Sequence, residues 1–212
     1  PSPADLPLPA EEPAPREIPA PPVREFHSRI IGEAFGTYLI VEYSKEELMF
    51  IDKHAAHERL LYERLKRENA GGEAQALLEP VTLDKEEYTA VLNHLEAFSQ
   101  AGFEVEDFGT GTVLVRSAPL LLDGGDAAGA VMEIAGYLAS LKDRMTTEHQ
   151  DWVYHNVACR AAMKAGDSIT REEMVSLAQE LERNPDVRYC PHGRPVYILL
   201  RRRDIERQFG RV

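Results

Sequence analysis

Asp52, His54, Glu58, Cys159, Cys190 and His192 are six side chains of types that bind divalent metals, and they lie close to the ends of predicted elements in this 212-residue sequence. They fall in three segments, Asp52-Lys53-His54-Ala55-Ala56-His57-Glu58, Ala158-Cys159-Arg160 and Cys190-Pro191-His192-Gly193-Arg194-Pro195. Neutral imidazole nitrogen and hard carboxylate oxygen together match zinc or manganese. A Cys-x-His pair brings thiolate and imidazole to one point only if the backbone turns sharply, and Pro191 with Gly193 supplies such a turn. Six ligands exceed one tetrahedral site and leave room for two ions side by side, the arrangement that serves phosphodiester hydrolysis. A plainer reading stays open at each position: Asp52 as a helix cap, Glu58 as a solvated carboxylate, either cysteine as a small core residue. Glu63 lies four residues after Arg59 and fits an ordinary helix-surface ion pair. His57, His94, His149 and His155 have no partner pattern and read as surface or core residues. A glycine-rich phosphate loop and a Gly-x-Ser-x-Gly elbow are both absent, which argues against nucleotide hydrolysis and acyl transfer.

These residues sit at the boundaries of predicted elements. The run Leu48-Met49-Phe50-Ile51 reads as a buried strand, and from His54 to Arg67 the apolar residues recur at helical spacing, so His54 and Glu58 share a helix face with Asp52 just outside it. Before this, Arg29-Ile30-Ile31 and residues 37–43 read as strands of an antiparallel meander. Gly71-Gly72 closes the helix, and Gln75-Ala76-Leu77-Leu78-Glu79-Pro80 follows as an extended segment. Asp84 and Glu87 predict a capping box for a helix that runs to Gly102. Strands at 103–106 and 112–116 and a helix over 127–141 complete a helix, hairpin and helix. A helix over 147–165 carries Cys159 and stops at Gly166. Thr170 and Glu173 predict a second capping box, with a helix through Leu181; a strand over 196–200 and a short basic helix over 201–209 end the chain.

Residues 1–23 are rich in Pro, Ala and Glu and read as a disordered, semi-stiff linker, implying that something lies upstream. The remainder, with 43% apolar residues overall, can bury a core. Two cysteines do not make a disulfide scaffold, and no leader or spanning segment is visible, so a cytoplasmic location without membrane association is expected. A net charge of -12 argues against tight, indiscriminate grip on nucleic acid; contact with double-stranded DNA would be weak and assisted.

The motifs Asp52-Lys53-His54-Ala55 with Glu58 and Glu63, Ala158-Cys159-Arg160, Cys190-Pro191-His192-Gly193-Arg194-Pro195 and Phe209-x-Arg211 together resemble the C-terminal domain of DNA mismatch-repair MutL proteins, in the branch that nicks DNA. The likeness spans residues 24–212. It implies a bacterial, metal-dependent endonuclease using zinc, manganese or both, with Asp52, His54 and Glu58 catalytic and all six residues as ligands. ATP would bind only a separate N-terminal domain. It also implies an α+β fold: a dimerisation subdomain of antiparallel sheet and helices (24–68 and 160–212) with an inserted outer α+β regulatory subdomain (69–159). The implied partners are a second copy of the chain, the mismatch-recognition protein MutS and the replication sliding clamp, the last through Gln75, Leu77, Leu78 and Pro80. Lys53 and Gly210 depart from the family's usual glutamine and basic residue, and Lys53 would add positive charge near the metals. The competing reading is a non-catalytic, zinc-stabilised module for dimerisation and docking. For the dimer, Ile30, Ile31, Leu39, Val41, Val196, Ile198 and Leu200 offer apolar strand surface.

Overall fold

Alternating apolar residues build the first three strands, β1 (Arg29–Ala34), β2 (Tyr38–Ser44) and β3 (Glu47–Asp52), and the sixteen-residue helix α1 (Lys53–Glu68) starts where β3 ends. This computed structural model describes residues 28–68, 72–122, 124–141, 145–164 and 166–211; the proline-rich stretch 1–23, Gly71 and Ala165 lie outside them. The chain continues as β4 (Ala74–Thr82), α2 (Lys85–Asn93), α3 (Leu95–Gln100), β5 (Glu104–Gly109), β6 (Thr112–Pro119), α4 (Gly124–Ser140), α5 (Thr147–Ala161), α6 (Arg171–Arg183), β7 (Tyr197–Arg201) and α7 (Arg202–Gln208). The fold is α+β with two antiparallel sheets, ordered β1-β2-β3-β7 and β4-β6-β5. The last strand pairs with β3, so the first and last described strands share one sheet.

Two hydrophobic clusters hold the molecule, and α1 serves both. On one side Ala55, Ala56 and Leu60 pack with Leu39, Val41, Ile51 and, from α6, Leu177 and Leu181. On the other, Leu61 and Leu65 join a larger cluster of sheet, α4 and α5 residues that includes Phe98, Val113, Val115, Ile134, Val153 and Val157. A helix buried along two stripes has little freedom to rotate, so the side chains on its remaining face are held in fixed directions. Because strand residues alternate between faces, Ile30, Leu39, Val41 and Val196 are consumed by the chain's own core and are not available to a partner as expected; Ile31, Ile198 and Leu200 are exposed.

Both predicted capping boxes are present, at Asp84/Glu87 and Thr170/Glu173. Two helices differ from the sequence expectation. The stretch from Asp84 to Gly102 is broken at His94, whose ring takes the Ala90 carbonyl and so competes with the backbone ladder, giving α2 and α3. Helix α5 stops at Ala161, because Ala162 is extended and the next peptide is captured by two α1 histidines: His57 Nδ1 accepts from the Met163 N–H at 3.0 Å, and His54 Nδ1 donates to the Met163 carbonyl at 2.8 Å.

Candidate metal centre

Three elements converge on Glu58. Helix α1 supplies His54 and Glu58 one turn apart; α5, packed against α1, supplies His155 and Cys159, also one turn apart. The third contributor is a tight turn in which the Gly193 N–H donates to the Cys190 carbonyl and the Cys190 N–H to the Arg194 carbonyl, with Gly193 at φ +78°. That turn is fastened to the sheet by the Asp52 N–H, which donates to the carbonyl of Val196 at 2.9 Å. Glu58, Cys190 and His192 thereby place one ligand atom each within 4.8 Å of one another.

Glu58 is completely buried, which corrects the picture of a solvated carboxylate. Its Oε1 accepts from His155 Nε2 at 2.8 Å and lies 3.4 Å from His192 Nδ1, while its Oε2 has no hydrogen-bond partner and lies 3.9 Å from His54 Nε2. Burial opposes the charge, yet the His155 hydrogen bond and the His192, His155 and His54 imidazoles hold the carboxyl below its ordinary pKa. A buried carboxylate oxygen with no donor, beside a thiol and an imidazole, is a costly arrangement unless a cation completes it, so the donor set fits a metal. His54 is prepared in the manner of a metal ligand: Nδ1 donates to the Met163 carbonyl, leaving the Nε2 lone pair turned toward Glu58.

Asp52 does cap α1, its Oδ1 accepting from the Ala55 N–H at 3.0 Å. Cys159 is half-buried; burial, and next the nearby Glu58 charge, push its thiol pKa up. Thus Glu58, Cys190 and His192 are brought together, His54 adjoins them, Cys159 lies within the electrostatic reach of Glu58, and Asp52 stands at the helix start.

Several neighbours were misjudged from sequence. His155, read as partnerless, is the closest donor to Glu58; its signal was the four-residue spacing to Cys159, which matches that of His54 to Glu58. His57 holds the Met163 peptide. Lys53 brings no free charge to the metals: it is 1% exposed and donates to Glu33 and the Asp167 carbonyl. Arg160 lies across α4, paired with Glu133 at 2.5 Å, where Gly129 leaves room that a Cβ would fill at 2.9 Å from the guanidinium. The Arg59–Glu63 helix-surface pair is present at 2.5 Å. An open groove of about 440 Å³, lined by Arg59, Tyr62, Lys66, Trp152, His155 and Pro191 among others, runs up to the centre.

The Gln75–Pro80 segment lies within β4, an edge strand, where Pro80 costs no ladder donor to a second neighbour. A bulge between Ala76 and Glu79 puts Leu78 at φ +84° and turns it out to solvent, 64% exposed. Gln75 points inward, donating to the carbonyls of Pro119 and Leu122, and Leu77 packs on the larger core cluster.

A family model described as the MutL C terminal dimerisation domain matches residues 31–169. Among curated proteins, the chain is similar to the DNA mismatch repair protein MutL of Phenylobacterium zucineum, 42% identical over 185 residues, which is 82% of this chain and 29% of that protein. It is also similar to the proteins of the same name from Caulobacter vibrioides (40% identical; 82% of this chain, 28% of that protein) and Clostridium botulinum (34% identical; 87% and 28%). The chain therefore spans less than a third of the length of these relatives.

Proposed function

This chain belongs to the MutL C-terminal dimerisation domain family, and from that premise we propose that it is the homodimerising, metal-dependent DNA-nicking part of a mismatch-repair MutL protein. The observation that carries the reading is the buried Glu58 carboxylate, one oxygen of which has no hydrogen-bond partner, with a ligand atom within 4.8 Å of those of Cys190 and His192. Glu58, Cys190 and His192 would hold zinc or manganese, with His54, Cys159 and Asp52 completing the ligand set or a second position. Bound there, the ion would supply activation of water and neutralisation of charge on the scissile phosphate. The chain's own residues do the rest. His54, held by the Met163 carbonyl, presents a fixed Nε2, and the buried Glu58 keeps its charge because imidazoles surround it. The groove at Arg59, Tyr62 and Trp152 would give a strand a route to the centre, although Glu63, Glu148 and Asp151 also line it and the chain as a whole carries a net charge of -12, so the grip on DNA would be weak.

Such a protein gains from assistance. The solvent-facing Leu78 and Pro80 are the parts of the β4 segment that a sliding clamp would meet first, and Gln75 would have to leave its internal carbonyls to join them. A ring already threaded on DNA would raise local concentration without new DNA contacts. The units at 24–68 with 160–212, and at 69–159, would then divide dimerisation from partner docking, with residues 1–23 as the tether to an ATP-binding domain.

The test is nicking of supercoiled plasmid with Mn²⁺, with and without loaded clamp. Glu58→Gln and Asp52→Asn should each lower nicking by roughly 100-fold or more, as expected when a transition-state charge loses its stabiliser, and a chelator should abolish it. Gln75→Ala with Leu78→Ala should lose only the stimulation by clamp. Undiminished nicking in the Glu58 and Asp52 variants contradicts the enzymatic reading. The use of Asp52 Oδ1 as a cap favours one alternative, a zinc-stabilised docking module, which would bind zinc and nick nothing.

A further inference from the structure

Helix α5 carries His155 four residues before Cys159, so both project from one face, and its packing on α1 brings His155 Nε2 to 2.8 Å from Glu58 Oε1. The His155 ring also meets that of His192 edge-on, with centroids 4.6 Å apart. Among the described residues, however, only Glu58, Cys190 and His192 form a group whose ligand atoms are all within 4.8 Å. His155 thus touches the carboxylate of that group through a hydrogen bond without being a member of the group.

A glutamate's terminal torsion is soft, so a buried carboxylate has no intrinsic preference for which oxygen it presents. One oxygen must be fastened to make the other a reliable ligand. Resting on the metal-centre reading, we propose that His155 is the positioning residue for this centre: its Nε2–H holds Glu58 Oε1 and so fixes the rotation of a buried carboxylate whose other oxygen, Oε2, has no hydrogen-bond partner. The edge contact with His192 has the same effect on the second ligand, limiting how far that imidazole can swing. Partners that orient metal ligands in this way typically contribute 10–100-fold in metal affinity.

The experiment is a Co²⁺ titration of the full chain and of His155→Leu and His155→Gln, followed by visible absorption and competition with a chelator. The thiolate-to-Co²⁺ and d–d bands report cysteine ligation and coordination geometry directly, independent of any nicking. His155→Leu should weaken Co²⁺ about 10–100-fold, His155→Gln, which keeps an N–H donor, should recover most of that loss, and all three proteins should give the same spectrum at saturation. Unchanged affinity in His155→Leu overturns the assignment, and so does an altered spectrum at saturation, which would make His155 a ligand. The His155 side chain is 23% exposed, so His155→Ala leaves no closed cavity and replaces the leucine variant if that one does not fold. A native chain that binds no Co²⁺ would instead refute the metal centre itself.

Discussion

The two sheets finish differently. In β4-β6-β5 the inward residues Val81, Val113 and Val115 are buried, while the outward row carries Thr82, Thr112, Glu106 and Arg116, with an Arg116–Glu106 pair at 2.6 Å and a Thr82–Thr112 contact at 3.4 Å. That row is mostly polar, with Leu114 between its polar members, and the exposed apolar residues of this sheet, Leu78 and Phe108, stand singly. In β1-β2-β3-β7 the inward residues are equally buried, but the opposite face carries the cross-strand rows Ile40, Phe50, Ile198 and Glu42, Leu48, Leu200. Ile198 is 60% and Leu200 37% exposed, on an edge strand, with Tyr38 and Phe35 also standing out. An antiparallel sheet with apolar residues on both faces is complete only when something covers the second. The contrast lies in arrangement: in β1-β2-β3-β7 apolar residues stand opposite one another across neighbouring strands, whereas in β4-β6-β5 the outward row mixes them with Thr, Glu and Arg.

The largest effect should follow from breaking that contrast. Ile198→Asp with Leu200→Asp should convert a dimer to a monomer by sedimentation at micromolar concentration, since two desolvated charges at the centre of an interface cost several kcal/mol. Arg116→Ala in the other sheet should leave the mass unchanged and cost under about 1 kcal/mol, as for any exposed ion pair. A native chain that is monomeric, or double-aspartate protein that stays dimeric, would show that the bare face has another use.

A smaller effect sharpens a second difference, between the two histidines that hold Met163. Burial lowers the His57 pKa below its ordinary 6.5, with Arg64 and His54 adding to the shift and Glu180 opposing it. The unfolded chain therefore binds more protons than the native one as pH falls below 6.5, and stability declines over that window. His57→Gln, which can still accept from the Met163 N–H through its side-chain oxygen, should flatten the decline in urea melts; an unchanged slope would remove His57 from the account. Glu58, with its depressed carboxyl pKa, acts in the same direction over a lower window: its contribution is present above about 4.5 and is lost on further acidification.

Much of this was legible in the sequence, because strand alternation, helical spacing and two capping boxes are local signals. The meeting of the Glu58 segment with Cys190-x-His192 was also legible, through motifs whose residue types have little else to do together. What escaped was long-range and depended on orientation. His155 looked idle because its partner, Glu58, is 97 residues away and reached only when α5 lies on α1. Lys53 looked like a site residue because it follows Asp52, yet its side chain leaves on the other side of the helix toward Glu33. The early end of α5 depended on histidines of another helix capturing its next peptide, which no propensity in α5 itself encodes. Apolar strand residues were correctly recognised as apolar, but which face they served was set by where α1 and α6 packed.

The central claim is that the ion sits on Glu58. Its most direct test is anomalous diffraction from crystals of the chain grown with Zn²⁺ or Mn²⁺. The account predicts an anomalous peak bonded to the Glu58 carboxylate, Cys190 Sγ and His192, with the His155 to Glu58 Oε1 hydrogen bond intact. A peak bonded to none of these three, or no peak at saturating metal, would contradict it.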